Sequence, residues 1–118
     1  MKEADQMKVS KLTAEHYFWG DHCDGWHLVK NENLSIIHER MPPSTKEIRH
    51  YHNHSRQFFF ILSGAGTIDI NGQVFELSSQ EGIEVPPLTP HQVFNKSEES
   101  IEFLVISQPA TAGDRIEL

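Results

Sequence analysis

Short apolar segments that end at proline, glycine or asparagine limit the fold of this chain more than any other feature. Residues 26–29 and 34–39 have the composition of strands, and proline pairs at 42–43 and 86–87 close two such segments. Because proline cannot donate a hydrogen bond within a sheet, it ends a central strand. No convincing helical period follows residue 20. The pattern therefore predicts an all-β protein, either a sandwich or a barrel.

The segment TIDINGQVFEL (residues 67–77) predicts one hairpin in detail. Asn71 and Gly72 supply the two residues of positive φ that a type I′ turn requires. A two-residue loop here pairs Ile70 with Gln73, Asp69 with Val74 and Ile68 with Phe75. Because side chains alternate between the faces of a strand, one face of the hairpin is apolar and carries Ile68, Ile70, Phe75 and Leu77. Residues 100–107 are apolar on both faces and predict a buried strand.

A chain of 118 residues has room for one domain, since single domains commonly have about 100–150 residues. We predict a peripheral N-terminal segment at residues 1–24 and a β domain at residues 25–118. The formal net charge of −7 and the lack of a Lys/Arg cluster argue against nucleic-acid binding. The chain has a single cysteine, no apolar stretch near the roughly 20 residues of a membrane span, and no signal-peptide pattern at its start. These features predict a soluble, cytoplasmic protein with no membrane partner.

The segment RHYHNHSRQFFFILSG (residues 49–64) holds three of the eight histidines of the chain at alternating positions. Residues i and i+2 of a strand share a face and lie about 6.5 Å apart, so His50 and His52 can direct both rings to one point. Two such imidazoles can bind a metal ion. A straight row that includes His54 spans roughly 13 Å, so at most two of the three are expected to bind the same ion.

The same segment resembles the first motif of the cupin family, which contains a His-x-His pair, an acidic ligand and a glycine. His50 and His52 match the pair, and Gln57 stands at the position of the acidic ligand. The segment GIEVPPLTPHQVFN (residues 82–95) resembles the second motif, with His91 as its histidine and Asn95 as its asparagine. The resemblance implies a single-domain cupin jelly-roll β-barrel in residues 25–118. It also implies one divalent metal bound by His50, His52, His91 and Gln57.

Three features depart from the family pattern. Gln57 replaces a glutamate, Leu88 replaces a glycine, and the segment before Pro86 is shortened. An amide cannot act as a general base, so a mechanism in which a metal-bound glutamate takes a proton does not carry over. Gln57 remains either a metal ligand or a hydrogen-bond partner that orients a histidine. The odd offset between His52 and Gln57 predicts a turn or bulge within residues 53–56.

The resemblance implies a small metal-dependent enzyme of the oxygenase type, or of the sugar or small-carbonyl isomerase type, acting on a small polar molecule. Imidazole ligands suit Fe, Mn, Zn, Ni or Cu, so the identity of the metal stays open. Two alternatives remain beside the enzyme. One is a non-catalytic sensor barrel that binds a metal or a small ligand. The other is a metal-free barrel that binds a metabolite.

The apolar residues after Gln57 bear on the pocket and on assembly. If Gln57 faces the interior, Phe59 and Ile61 face it too, and the opposite face needs another cover. That need favours a homodimer, which is also common among small cupins. The candidate pocket residues are Tyr51, His54, Phe59 and Phe94.

Overall fold

The structure is a computed structural model that describes residues 7–118. Strands and tight turns make up nearly all of these residues. The strands in these residues are β1 (Glu15–Trp19), β2 (Cys23–Lys30), β3 (Ser35–Met41), β4 (Thr45–Lys46), β5 (His50–His52), β6 (Arg56–Ser63), β7 (Gly66–Ile70), β8 (Gln73–Leu77), β9 (Gly82–Val85), β10 (His91–Asn95), β11 (Ile101–Gln108) and β12 (Arg115–Glu117). The prediction of an all-β fold is confirmed.

Two antiparallel sheets share one core. The first sheet has the strand order β1-β2-β3-β11-β6-β9. The second sheet has the order β12-β5-β10-β7-β8, and β4 pairs with β10. Alternate residues from both sheets fill the space between them, and the buried apolar side chains are Cys23, Met41, Phe59, Ile61, Ile68, Val85, Val93, Ile101, Phe103 and Val105. Burial of a side chain as large as Phe103 contributes about 1.5–3 kcal/mol.

The predicted hairpin is confirmed at every position. Asn71 has a φ of 55° and Gly72 has a φ of 90°, as a type I′ turn requires. Strands β7 and β8 pair in the predicted register, with Ile70 opposite Gln73 and Ile68 opposite Phe75. The apolar face of this hairpin packs on the core.

The predicted strands are present with shifted ends. The strand predicted at residues 26–29 is longer in the structure and forms β2. The strand predicted at residues 34–39 is β3, which ends directly before the first proline pair. The segment predicted at 100–107 is β11, which lies between β3 and β6 in the middle of the first sheet. One of its faces is buried in the core, whereas Glu102, Leu104 and Ile106 on its other face are half-buried.

The N-terminal strand β1 is the edge strand of the first sheet and pairs with β2 along its whole length. In this register Tyr17 lies opposite Gly25 of β2. On the other side of β2, Glu39 of β3 lies opposite the same glycine. The domain boundary predicted between residues 24 and 25 stays a prediction, although it falls inside β2. Residues 1–6, at the start of the predicted peripheral region, lie outside the described residues.

Candidate metal centre

Three histidines meet between the two sheets. His50 and His52 alternate along β5, and His91 on β10 is the direct cross-strand partner of His50. The potential ligand atoms of the three rings all lie within 4.8 Å of one another. The side chains are only 2%, 4% and 1% exposed, respectively. Two residues of one strand and one of its neighbour thus direct three imidazoles to a single buried point.

Backbone hydrogen bonds fix the orientation of two of these rings. His50 Nδ1 lies 2.7 Å from the carbonyl oxygen of Ile48, and His91 Nδ1 lies 2.9 Å from that of Thr89. Because a carbonyl oxygen only accepts, each Nδ1 carries the proton, and each Nε2 of the neutral ring is left with a lone pair. Both Nε2 atoms are therefore suited to bind a cation.

The third ring, His52, has no hydrogen-bond partner among residues 7–118 at either nitrogen, although both nitrogens are buried. The nearest carboxylate oxygen, Asp114 Oδ2, lies 4.0 Å from His52 Nδ1, which is too long for a hydrogen bond. A buried polar atom without a partner costs free energy and needs a physical reason. A metal ion bound by all three imidazoles would supply that reason, because a nitrogen of His52 would then coordinate the ion.

Gln57 reaches the same point from the other sheet. Its Nε2 donates a hydrogen bond to Ser107 Oγ at 3.1 Å, and its Oε1 lies 3.1 Å from His91 Nε2. In this orientation two lone-pair atoms, Oε1 and Nε2 of His91, face each other, which is favourable only when a cation lies beside both. Rotating the amide by half a turn would let Gln57 donate to His91 and accept from Ser107, the arrangement expected of a metal-free barrel.

The turn predicted within residues 53–56 is confirmed, because the chain passes there from β5 in the second sheet to β6 in the first. The buried carboxylate of Asp114 holds this turn. It accepts hydrogen bonds from the amides of His54 and Ser55 at 2.8–3.1 Å. The carbonyl of His52 accepts a further hydrogen bond from the amide of Leu88 at 2.7 Å. These bonds hold His52 and Gln57 in place.

Electrostatics keep the cluster neutral. Burial lowers the pKa of His50 to about 3 and that of His52 to about 4, and in both cases the neighbouring His91 lowers it further. Burial also lowers the pKa of His91. Neutral imidazole is the form that binds metals, so near neutral pH protons do not compete for the three lone pairs.

A cavity of about 170 Å³ opens beside the cluster. Its lining includes the predicted site residues His50, His52, Gln57 and Phe59. The other three candidate pocket residues do not line it. Tyr51 pairs with Ile116 of β12, His54 is exposed, and Phe94 lies under the ammonium group of Lys96.

The cavity also contains polar residues that the sequence analysis did not identify, namely Tyr17, Glu39, Glu47, Ser107, Thr111 and Arg115. Glu39 could have been found from the sequence, because alternation along the strand places its carboxyl group on the same face as the apolar Ile37 and Met41. No sequence pattern marks Tyr17, since its position depends on the pairing of β1 with β2.

The fold and the cluster together define a β-barrel with an internal histidine site. Residues 37–107 match the family described as Cupin domain, and the chain belongs to that family. The membership of the cupin family that the two motifs predicted is thereby confirmed.

Individual relatives agree with this assignment. The protein MJ1618 of Methanocaldococcus jannaschii is 26% identical over 91 residues, which cover 77% of this chain and 73% of that protein. The polyketide cyclase RemF of Streptomyces resistomycificus has a similar fold, with a TM-score of 0.79 and 14% identity over 94% of this chain and 84% of RemF. A sugar phosphate isomerase of the cupin superfamily from Silicibacter pomeroyi has a TM-score of 0.77 and 19% identity over 87% of this chain and 76% of the isomerase.

One negative finding concerns membranes. Among residues 7–118, no helix has the length and apolar character needed to cross a bilayer.

Proposed function

We propose that His50, His52, His91 and Gln57 bind one divalent transition metal, and that the protein is a metal-dependent enzyme for a small polar molecule. The observation that carries the proposal is the buried His52 ring. It lies in a cluster of three imidazoles, and its two nitrogens have no hydrogen-bond partner in the part of the chain that the structure describes. The facing lone pairs of Gln57 Oε1 and His91 Nε2 support the same assignment.

The donor set determines what a bound metal supplies. Three neutral imidazoles and an amide oxygen add no negative charge, so the full charge of a divalent ion remains available to polarise a substrate oxygen as a Lewis acid. Nitrogen and oxygen donors of this kind accommodate Fe, Mn, Zn, Ni or Cu. The protein's own contribution is to orient the ligands through the carbonyls of Ile48 and Thr89 and through Ser107.

The ligand set limits where proton transfer can occur. Gln57 cannot exchange a proton, so a reaction of either the isomerase or the oxygenase type that needs a base must take it from a residue outside the ligand set. Two structural neighbours, a sugar phosphate isomerase and a polyketide cyclase, are in keeping with rearrangement of a small carbonyl compound. The cavity beside the histidines gives a small molecule room to approach the site.

The alternative is a non-catalytic barrel in which a metal only stabilises the fold. A structural metal site is closed by protein ligands, whereas a catalytic one keeps a coordination position open. The cavity beside the histidines favours the open site.

Elemental analysis of protein purified without an affinity tag tests the proposal. We expect about one transition metal per chain in the wild type and none in His52→Ala. His54→Ala is the matched control, since His54 lies on the exposed turn two residues further on and should keep its metal. Gln57→Ala should weaken metal binding by about 10- to 100-fold, the range expected on loss of a ligand or of its oriented partner.

A wild-type protein that stays metal-free after dialysis against each of the five ions contradicts the proposal. Equal metal content in the wild type and His52→Ala contradicts the assignment of the ligands.

A further inference from the structure

Two carboxyl groups line the cavity beside the histidines, and neither belongs to the cupin motifs. Glu39 lies on β3 of the first sheet, and Glu47 lies between β4 and β5 of the second. Both residues are half-buried. Because both line the cavity, a molecule bound there would lie beside both residues.

Hydrogen bonds hold both groups in place. Tyr17 Oη donates to Glu39 Oε2 at 3.3 Å, and the amide of Val93 donates to Glu47 Oε1 at 3.0 Å. Tyr17 reaches Glu39 by crossing directly over Gly25, where an added Cβ would come within 2.3–2.6 Å of the phenol ring. A side chain at residue 25 would therefore force Tyr17 away from Glu39.

The two carboxyl groups differ in proton affinity. Burial raises the pKa of Glu39 to about 7, although the Tyr17 hydroxyl and the charge of Arg115 oppose the rise. Burial and then the charge of Glu39 raise the pKa of Glu47 to about 8, against the opposing charge of Arg115 and the Val93 amide. The other titratable groups that face the cavity are Tyr17, His50 and His52. Both carboxyl groups can therefore gain or lose a proton near neutral pH, so that one member can accept a proton while the other donates.

We propose that Glu39 and Glu47 are the proton-transfer groups of this site, that Tyr17 positions Glu39, and that the substrate is a small carbonyl compound with a hydrogen on the adjacent carbon. The proposal rests on the metal site proposed above, because the carbonyl oxygen needs a Lewis acid beside it. The pair supplies the acid–base function that the amide of Gln57 lacks. The cavity volume of about 170 Å³ restricts the substrate to a small molecule.

The proposed step balances without an oxidant or reductant. The ionised carboxylate takes the proton from the carbon beside the carbonyl, and the electrons of that C–H bond form a carbon–carbon double bond. The π electrons of the carbonyl move to its oxygen, which receives a proton from the protonated carboxyl group. Return of a proton to the same carbon regenerates the carbonyl compound. When that carbon also carries a hydroxyl group, the enediol can instead be protonated at the former carbonyl carbon by the carboxyl group that took the first proton, while the second carboxylate removes the hydroxyl proton and the new carbonyl forms, which gives the isomer.

Hydrogen–deuterium exchange into hydroxyacetone in D₂O, followed by proton NMR, tests this step on the metal-loaded full chain. We expect the wild type to exchange the protons beside the carbonyl faster than the same concentration of free metal. Glu39→Gln and Glu47→Gln should each slow the exchange by about 100-fold or more while keeping the metal. Glu84→Gln is the matched control, because Glu84 pairs with Arg56 away from the histidine cavity and should exchange at the wild-type rate.

A second readout does not depend on turnover. Titration of ¹³C-labelled glutamate carboxyl groups by NMR should show two groups with midpoints near neutral pH, one absent in Glu39→Gln and the other in Glu47→Gln. The hydrogen bond from Tyr17 stabilises the ionised form of Glu39 and so lowers its pKa. Tyr17→Phe removes this bond and should therefore shift the Glu39 midpoint upward. Gly25→Ala should produce the same upward shift by displacing the Tyr17 ring.

The outcomes separate the two proposals. A wild-type protein that binds no metal contradicts the proposed function. A metal-loaded wild type that exchanges no faster than free metal, or Gln variants that exchange at the wild-type rate, contradict the carboxyl proposal alone. Carboxyl midpoints that all lie at ordinary acidic values also contradict it.

Discussion

Leu88 shows how a single residue can carry strain at this site. It has a φ of 63°, in the left-handed region, at the position where the second cupin motif usually has glycine. Its amide nevertheless donates the 2.7 Å hydrogen bond to the carbonyl of His52. At this position a leucine therefore adopts the left-handed conformation, at a steric cost of about 1–2 kcal/mol.

We expect Leu88→Gly to raise the free energy of unfolding by up to about 1 kcal/mol, since relief of the left-handed strain exceeds the added entropy of an unfolded glycine. The Leu88 side chain is 64% exposed, so its removal forfeits little packing. Urea denaturation of the metal-free protein measures the change. Leu88→Ala keeps the strain and should stay close to the wild type. A glycine variant no more stable than the alanine variant would rule out strain at this position.

At the scale of elements, the passage from β5 to β6 depends on the C-terminal segment. Asp114 precedes β12, which pairs with β5, and its carboxylate holds the amides of His54 and Ser55. Burial of Asp114 raises its pKa, but the hydrogen bonds from Ser55 and His54 outweigh burial, so that the pKa is lowered overall. The ionised form is thus the one that the fold stabilises.

We expect Asp114→Ala to lower the free energy of unfolding by about 2–3 kcal/mol near neutral pH, because buried amides lose a charged acceptor. The folded pKa lies below the unfolded one, so this contribution is present above the unfolded pKa and lost as pH falls through the folded pKa. The difference between the wild type and Asp114→Ala should therefore shrink in acid. Urea denaturation at neutral and acidic pH measures it, and a difference that is constant with pH would exclude the charged acceptor.

At the scale of the whole molecule, one part of the outer face of the first sheet is apolar. Phe58 and Phe60 of β6 stand beside Ile106 and Leu104 of β11, away from the core. Phe58 is 38% exposed. Exposed apolar surface on neighbouring strands favours association, which keeps the homodimer as a prediction.

Light scattering coupled to size-exclusion chromatography should therefore give the mass of two chains. Phe58→Glu should shift the protein towards a monomer, because association would bury an unpaired charge. Val74→Glu is the control, since Val74 is 55% exposed on β8 of the other sheet and its replacement should leave the mass unchanged. A wild type with the mass of one chain contradicts the prediction.

Features set by neighbouring residues were predictable from the sequence. The positive φ of Asn71 and Gly72 determines the register of β7 and β8, because a two-residue turn leaves no freedom in the pairing. Strand alternation likewise places His50 and His52 on one face. His91 could be associated with them only through the motif resemblance, since 39 residues separate His91 from His52 in the chain.

The sequence by itself determined the all-β class, the hairpin and the turn before Gln57, and the motif resemblance supplied the four residues of the candidate metal centre. Only the tertiary structure decided what surrounds them. Tyr17 and Glu39 meet because β1, β2 and β3 align in one register across Gly25, and Glu47 joins them from the opposite sheet. Backbone geometry is set within a few residues, whereas the chemistry of a cavity depends on the register of strands that are far apart in the chain.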